Sequence, residues 1–135
     1  MEDVKTPRKE DPMAKQILVV DDETAFLLGI RKILSRSEAA TDVAETIEEA
    51  EHLLKEKAYD IVITDLRLTG VLGEEGLEIL QYVREHNPQT KCILVTGYGS
   101  PDIREKAMEK GAAYYFEKPV SPTLLLDAVQ KLSAQ

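Results

Sequence analysis

The sequence lacks the marks of a secreted or membrane-spanning protein. It holds a single cysteine, Cys92, so no disulfide can form within the chain, and the apolar residues 93–95 beside it predict a buried, inert thiol. No apolar run approaches the roughly 20 residues that a membrane-spanning helix needs, and the first residues lack the apolar core of a secretory signal. We therefore expect a protein of the reducing cytoplasm.

Positive charge is also scarce. The 17 Lys and Arg residues face 25 Asp and Glu residues, which gives a formal net charge of −8. Nucleic-acid backbones are bound by clustered cationic side chains that displace counterions, so this balance argues against direct nucleic-acid binding. With 43% apolar residues, 7 Gly and 6 Pro in 135 residues, the composition instead predicts one packed globular domain.

The first fifteen residues differ from the rest of the chain. They hold four acids, four bases and two prolines without apolar periodicity, so they can bury little surface to offset the entropy cost of ordering. We predict a polar, flexible tail over residues 1–15 and a domain over residues 16–135.

Short apolar runs and helical patterns alternate after the tail. Residues 17–20, 61–63 and 93–95 are continuous and β-branched, which is typical of central parallel strands, and residues 40–43 and 113–116 are weaker segments that suit edge strands. A capping box at Thr46 and Glu49, and a Ser-Pro start at Ser100 and at Ser121, mark helices between or after them. The alternation predicts an α/β fold, a five-stranded parallel sheet doubly wound as (βα)5.

Polar residues follow four of the five predicted strands. They are Asp21-Asp22-Glu23, Asp65, Thr96 and Lys118. Ligands of open parallel sheets bind at the carboxyl ends of the strands, so these side chains are the candidate site. Clustered carboxylates recruit a hard cation, and few carboxylates completed by water and phosphate favour Mg²⁺ over Ca²⁺.

This set of side chains suits phosphoryl transfer. A carboxylate can attack phosphorus, and the reaction depends mainly on positioning and on neutralising the oxygens of the transferred group. We hypothesise that Mg²⁺ balances two of those oxygens and Lys118 the third, while the Thr96 hydroxyl donates a hydrogen bond to the new acyl phosphate.

Four motifs in this order carry a family resemblance. They are Asp21-Asp22, Asp65 within Ile-Thr-Asp-Leu-Arg-Leu, Thr96-Gly-Tyr-Gly, and Phe-Glu-Lys-Pro ending at Pro119. Over residues 16 to about 133, the chain resembles the receiver domain of two-component response regulators. The resemblance implies a flavodoxin-like strand order, 2-1-3-4-5.

The resemblance also implies a role for each site residue. Asp65 would be the phosphoacceptor, and Asp21 and Asp22 would assist Mg²⁺ binding, with Asp22 as the nearer ligand. The backbone carbonyl of Arg67 would complete the metal site. Lys118 would pair with the phosphoryl group, aimed by a cis peptide bond to Pro119.

The same resemblance implies a switch and its partners. Thr96 would move to bind the phosphoryl group and Tyr115 would be the switch aromatic, altering the face formed by the fourth helix, the fifth strand and the fifth helix. A sensor histidine kinase or a histidine phosphotransfer protein would supply the phosphoryl group in a two-component or phosphorelay system. A downstream protein would bind the altered face, and a phosphorylation-linked dimer stays open. Such a domain catalyses only its own phosphorylation and dephosphorylation.

Two features near the predicted site are unusual. Two residues that flank it are large, and the segment after Asp65 differs from the family pattern. The large residues Arg67 and Tyr98 flank the site, and we predict that they shield the acyl phosphate from water. Thr69 stands where the family commonly has proline, and residues 70–75 lengthen the following loop, which would alter partner docking or gating.

Several alternatives compete with this interpretation. The acids after the first strand could serve only the positive end of a helix, and a lone Lys118 would normally be a surface residue. A flavodoxin would suffer repulsion between those acids and the flavin phosphate, and an aspartyl phosphatase would carry an acid where Arg67 stands. A phosphorylation-independent scaffold stays open. Because the chain ends at Gln135, soon after the last predicted helix, we expect a stand-alone receiver rather than a fragment of a longer transcriptional regulator.

Overall fold

The computed structural model describes residues 14–67 and 74–134. Within them, the sheet has five parallel strands in the order β2-β1-β3-β4-β5. The strands are β1 (Lys15–Val20), β2 (Ala39–Ala44), β3 (Ile61–Thr64), β4 (Lys91–Thr96) and β5 (Ala112–Glu117). The predicted fold class and strand order are confirmed.

Helices follow each strand and cover both faces of the sheet. They are α1 (Thr24–Leu34), α2 (Ile47–Glu56), α3 (Glu75–His86), α4 (Pro101–Glu109) and α5 (Pro122–Ser133). The buried residues of α1 and α5 pack on one face of the sheet, and those of α2, α3 and α4 pack on the other. The central strands are therefore buried on both sides, which explains their continuous apolar sequences.

Three predicted helix starts are confirmed by their caps. The hydroxyls of Thr46, Ser100 and Ser121 each accept a hydrogen bond from a backbone N–H in the first turn of α2, α4 and α5. In the predicted capping box, the carboxylate of Glu49 accepts from the backbone N–H of Glu45, one residue before the capping threonine. The box thus ties the preceding residue to the helix as well.

Some features of the chain were not predicted or are not described. A short 3₁₀ turn, Ser35–Ser37, follows α1 and ends at Glu38 in the left-handed region, at φ 56°. The predicted tail, 1–15, lies outside the described residues except for residues 14 and 15, and Lys15 begins β1. Thr69 and the glycines at 70 and 73 also lie outside the described residues. Within residues 14–67 and 74–134, no helix has the length and apolar character to cross a membrane.

Candidate functional site

The pairing of β1 with β3 brings two aspartates to one edge of the sheet. Val20 and Thr64 are paired at the ends of these strands, so Asp21 and Asp65 follow side by side. The backbone N–H of Asp65 donates to the carbonyl of Val20 at 3.0 Å, and that of Asp21 donates to Ala44 on the other side at 3.0 Å. The sheet itself therefore holds the two carboxylates together.

Asp22 completes a cluster of three carboxylates. One carboxylate oxygen from each of Asp21, Asp22 and Asp65 lies within 4.8 Å of the others. Asp21 and Asp65 are buried and Asp22 is exposed, so the cluster opens to solvent on one side. An all-oxygen set that leaves room for water and phosphate is the donor set that Mg²⁺ prefers, so these residues fit that ion.

Lys118 reaches this cluster from the end of β5. Its ammonium donates to Asp21 Oδ2 at 2.8 Å and to Asp65 Oδ2 at 3.3 Å, and its side chain is 15% exposed. Its backbone N–H donates to the carbonyl of Thr96 at 2.9 Å, which anchors this residue against β4. The Lys118-Pro119 peptide bond is cis, as expected.

Burial and charge have opposing effects on the pKa values of Asp21 and Lys118. Burial raises the pKa of Asp21 to about 6, although the hydrogen bond and charge of Lys118 oppose it. Burial alone would lower the pKa of Lys118, but the hydrogen bonds to Asp21 and Glu23, with the charges of Asp21 and Asp65, outweigh burial and raise it. Lys118 is therefore charged at neutral pH. Its single positive charge does not balance the negative charges of the cluster.

A cavity of about 380 Å³ lies over the exposed side of the cluster. Arg67 and Tyr98 both line this cavity, and the guanidinium carbon of Arg67 lies 3.9 Å from the centre of the Tyr98 ring. At this distance the two side chains make a cation–π contact. The buried Thr96 hydroxyl accepts a hydrogen bond from the backbone N–H of Tyr98 at 3.0 Å.

Tyr115 does not join the carboxylate cluster. Its hydroxyl donates to Glu117 Oε2 at 3.2 Å, two residues along the same strand, and the Arg104 guanidinium carbon lies 5.9 Å from its ring centre. Burial, followed by the hydrogen bond and charge of Glu117, raises the pKa of Tyr115. The predicted switch residue thus lies on the β5 side of the site, separate from the acids.

Comparison with known proteins decides the family. Residues 17–130 match the family described as the response regulator receiver domain. The chain belongs to this family. The receiver domain predicted from the four motifs is confirmed, as is its place among two-component response regulators.

Related receivers share the fold and part of the sequence. The chain is 36% identical to the alginate biosynthesis transcriptional regulatory protein AlgB of Pseudomonas aeruginosa, over 86% of this chain and 25% of AlgB. A CheY-like receiver domain from Methanospirillum hungatei has a TM-score of 0.81 at 32% identity, covering 90% of this chain and 95% of that one. The chain spans less than two thirds of the length of the curated relatives that head the comparison.

One solved relative bears on the chemistry of the family. A response regulator protein from Burkholderia pseudomallei was solved with a phosphorylated aspartic acid, a calcium ion and citrate, and has a TM-score of 0.75 at 25% identity, covering 89% of this chain and 73% of that one.

Two residues near the site, Phe26 and Gly76, were not predicted, and Glu23 was predicted as a strand-end acid without its contact to Lys118. Glu23 accepts from the Lys118 ammonium at 2.5 Å, and the Phe26 ring centre lies 4.2 Å from the same nitrogen. A Cβ at Gly76 would collide with the backbone of Asp65 and Leu66. The start of α3 can therefore pack against these two residues only because position 76 has no side chain. Sequence alternation marked Glu23 as a strand-end acid, but no spacing signal linked it to a lysine 95 residues away.

Proposed function

We propose that this receiver domain is an Mg²⁺-dependent phosphoacceptor switch with Asp65 as the acceptor. One observation carries the proposal: the Asp65 carboxylate lies within 4.8 Å of the oxygens of two other aspartates and within hydrogen-bond reach of Lys118. Asp21, Asp22, Asp65 and the backbone carbonyl of Arg67 would hold Mg²⁺. The bound ion would neutralise charge on the phosphoryl oxygens.

The chemical step needs a nucleophile and a route for the leaving group. A carboxylate oxygen of Asp65 attacks phosphorus, the new P–O bond forms, and the bond to the donor oxygen or histidine nitrogen breaks with its electron pair leaving on the donor. The backbone N–H of Leu66 donates to Asp65 Oδ1 at 2.6 Å, which orients the carboxylate so that Oδ2 faces the cavity side occupied by Lys118. Oδ2 is the attacking oxygen in this arrangement.

Two side chains receive the charge of the bound phosphoryl group. Lys118 exchanges its contact with Asp65 Oδ2 for one with a phosphoryl oxygen, since both are anionic acceptors at the same place. In the structure, the Thr96 hydroxyl accepts from the backbone N–H of Tyr98. On phosphorylation, the hydroxyl turns away from this N–H and donates to another phosphoryl oxygen. These exchanges connect the chemistry at Asp65 to β4 and β5.

The output follows from a shift in population. As Thr96 turns inward, Tyr115 turns inward with it, and the surface formed by α4, β5 and α5 changes. A sensor histidine kinase or a histidine phosphotransfer protein supplies the phosphoryl group, and a downstream protein binds the changed surface. The domain acts in the cytoplasm and catalyses its own phosphorylation and dephosphorylation, without direct contact to nucleic acid and with dimerisation as one form of output.

Two alternatives remain to be separated by experiment. A scaffold with a receiver fold would use its surface without taking phosphate, but the set formed by Asp65, Thr96 and Lys118 would then have no chemical use. The related AlgB is a transcriptional regulatory protein of which this chain covers 25%, so a receiver within a longer regulator is the second alternative.

The test is the intact mass after incubation with Mg²⁺ and acetyl phosphate. We expect a gain of one phosphate in the wild type, and none in Asp65→Asn or without metal. Asp60→Asn is the matched control, because Asp60 lies at the opposite end of the same strand, where its carboxylate accepts from the backbone N–H of Gln16 at 2.7 Å. Equal labelling of Asp65→Asn and the wild type would overturn the proposal.

A further inference from the structure

The Tyr115 hydroxyl occupies a defined place at the end of β5. Side chains two apart on a strand lie on the same face, so Tyr115 and Glu117 are neighbours by the geometry of β5 itself. The hydroxyl donates to Glu117 Oε2 at 3.2 Å. The Arg104 guanidinium carbon, on α4, lies 5.9 Å from the ring centre and brings positive charge to the ring.

Gly99 makes room for this arrangement. A Cβ at position 99 would fall within 3.0 Å of both the Tyr115 hydroxyl and the Glu117 carboxylate. The backbone of Gly99 is not in the left-handed region, which within the described residues only Gly111 adopts among glycines. The glycine is therefore explained by the two side chains beside it and not by its own backbone conformation.

We infer that Gly99 and Glu117 form a seat for the Tyr115 hydroxyl that stabilises the unphosphorylated arrangement of the switch. The inference rests on the proposed function, since it takes Tyr115 as the residue that moves. Neither residue of the seat contacts the carboxylate cluster in the described structure, so both are positioning residues that act through Tyr115. The seat sets how much of the protein occupies the activated arrangement before any phosphoryl group arrives.

Substitutions at Glu117 and at Gly99 should both release the Tyr115 hydroxyl, but for different reasons. Glu117→Gln keeps the shape of the side chain and weakens the acceptor, whereas Gly99→Ala places a methyl group where the hydroxyl now lies. Both changes free Tyr115 from the seat. A hydrogen bond of ordinary strength corresponds to a change of about fivefold in the population ratio, so phosphorylation by acetyl phosphate should be faster by about that factor in each variant.

Fluorine NMR of protein labelled with 3-fluorotyrosine observes the seat directly. The chain has five tyrosines, and the resonance of Tyr115 is assigned by its loss in Tyr115→Phe. Beryllofluoride with Mg²⁺, a mimic of the phosphoryl group, defines the activated position of that resonance in the wild type. In Glu117→Gln and Gly99→Ala without beryllofluoride, we expect the resonance to move part of the way towards that position.

Matched controls separate the seat from general effects of substitution. Glu85→Gln changes an exposed glutamate that accepts from Gln81 on α3, and Gly29→Ala adds a methyl group where no atom lies within 4 Å. We expect both to leave the Tyr115 resonance and the phosphorylation rate unchanged. In the Tyr115→Phe background, which has no hydroxyl to seat, Glu117→Gln should no longer accelerate phosphorylation.

The outcomes distinguish the seat from the proposed function. If beryllofluoride moves the Tyr115 resonance of the wild type while the two seat variants behave like the controls, the seat is wrong and the switch stands. If beryllofluoride does not move the wild-type resonance, Tyr115 is not the switch residue and the inference fails with that proposal. A rate increase that persists in the Tyr115→Phe background would also overturn the seat.

Discussion

Two buried aspartates of this domain are each joined to a lysine, yet their surroundings differ. Asp42, on the edge strand β2, accepts from Lys57 at 2.9 Å and from the Tyr59 hydroxyl at 2.6 Å. Asp21, directly after the central strand β1, accepts from Lys118 at 2.8 Å and lies in a cluster with Asp22 and Asp65. The first aspartate has a cation and a neutral hydroxyl beside it, whereas the second shares its lysine with other acids.

The two aspartates differ in how far their negative charge is balanced by neighbouring groups. The Asp42 carboxylate accepts from one ammonium and one hydroxyl. Burial, followed by the hydrogen bond and charge of Asp42, raises the pKa of the Tyr59 hydroxyl, which keeps it a donor. At Asp21, the Lys118 ammonium is shared with Asp65 and Glu23, so negative charge is in excess. An excess of buried negative charge is stabilised by a bound cation, so we expect the second cluster to respond to ligands.

The largest expected effect is on stability without metal. Asp42→Ala leaves the buried Tyr59 hydroxyl without this acceptor and removes the partner of Lys57, so we expect the free energy of unfolding at pH 7 to fall by about 3 kcal/mol. Asp21→Asn removes one charge from the acidic cluster, so we expect it to rise by about 1 kcal/mol. Urea denaturation followed by circular dichroism measures both. A loss of equal size in the two variants would contradict the comparison.

The second effect concerns the addition of Mg²⁺. A ligand that binds only the folded state stabilises it by about 2.7 kcal/mol at a concentration 100 times its Kd. We expect this gain in the wild type and in Asp42→Ala, measured as a shift in the urea midpoint. Asp22→Asn, which alters the exposed acid of the cluster, should lose most of it. If Asp22→Asn kept the full gain, Mg²⁺ would bind elsewhere.

The third effect is a dependence of stability on pH. The pKa of Asp21 is raised from 3.8 to about 6, so between these values the folded state holds a proton that the unfolded state has released. The metal-free domain should therefore lose on the order of 2 kcal/mol of stability from this residue as pH rises from about 4 to about 6. The raised pKa of Lys118 adds no slope there, because the lysine is charged in both states.

The difference between the wild type and Asp21→Asn isolates this contribution. Urea midpoints of the two proteins, measured without metal across that pH range, should diverge as pH rises, with the variant becoming the more stable. Parallel curves would mean that Asp21 has an ordinary pKa.

The smallest effect concerns the wall of the cavity. Arg67 and Tyr98 stack at 3.9 Å in the cavity that Asp65 also lines, and we predict that they limit the access of water to an acyl phosphate on Asp65. Replacing both with Ala should accelerate the loss of phosphate by about tenfold, or about 1.4 kcal/mol in the barrier. Decay of the phosphorylated mass after removal of the donor measures the rate, with Arg84→Ala, near Gly111, as the control. An unchanged rate would end the shielding hypothesis.

The sequence predicted much of the fold because its signals are local. Continuous apolar runs marked the central strands, and Ser100 and Ser121 before proline marked two helix starts. Asp21 and Asp65 could be expected to meet because each follows a buried strand of a parallel sheet, whose carboxyl ends share an edge. The strand order, the choice of Asp65 as acceptor and the roles of Arg67 and Tyr115 came from the family resemblance and not from these signals.

The remaining features depend on contacts between distant segments. Glu23 and Phe26 reach Lys118 from the start of α1, 95 and 92 positions away by number, and no periodicity links them. Gly76 is needed because the Asp65 backbone lies against it, which only the packing of α3 reveals. The left-handed Glu38 carries none of the usual glycine or asparagine signal, so the turn before β2 was not predicted.

The central claim is that the acid-rich cluster carries the phosphoryl group on Asp65. Borohydride reduces an acyl phosphate of aspartate to homoserine, so reduction of the domain after treatment with Mg²⁺ and acetyl phosphate, followed by peptide mass mapping, locates the group. We predict homoserine at position 65, and none at positions 21, 22 or 42. Homoserine at any of those three positions, with unmodified aspartate at 65, would contradict the account.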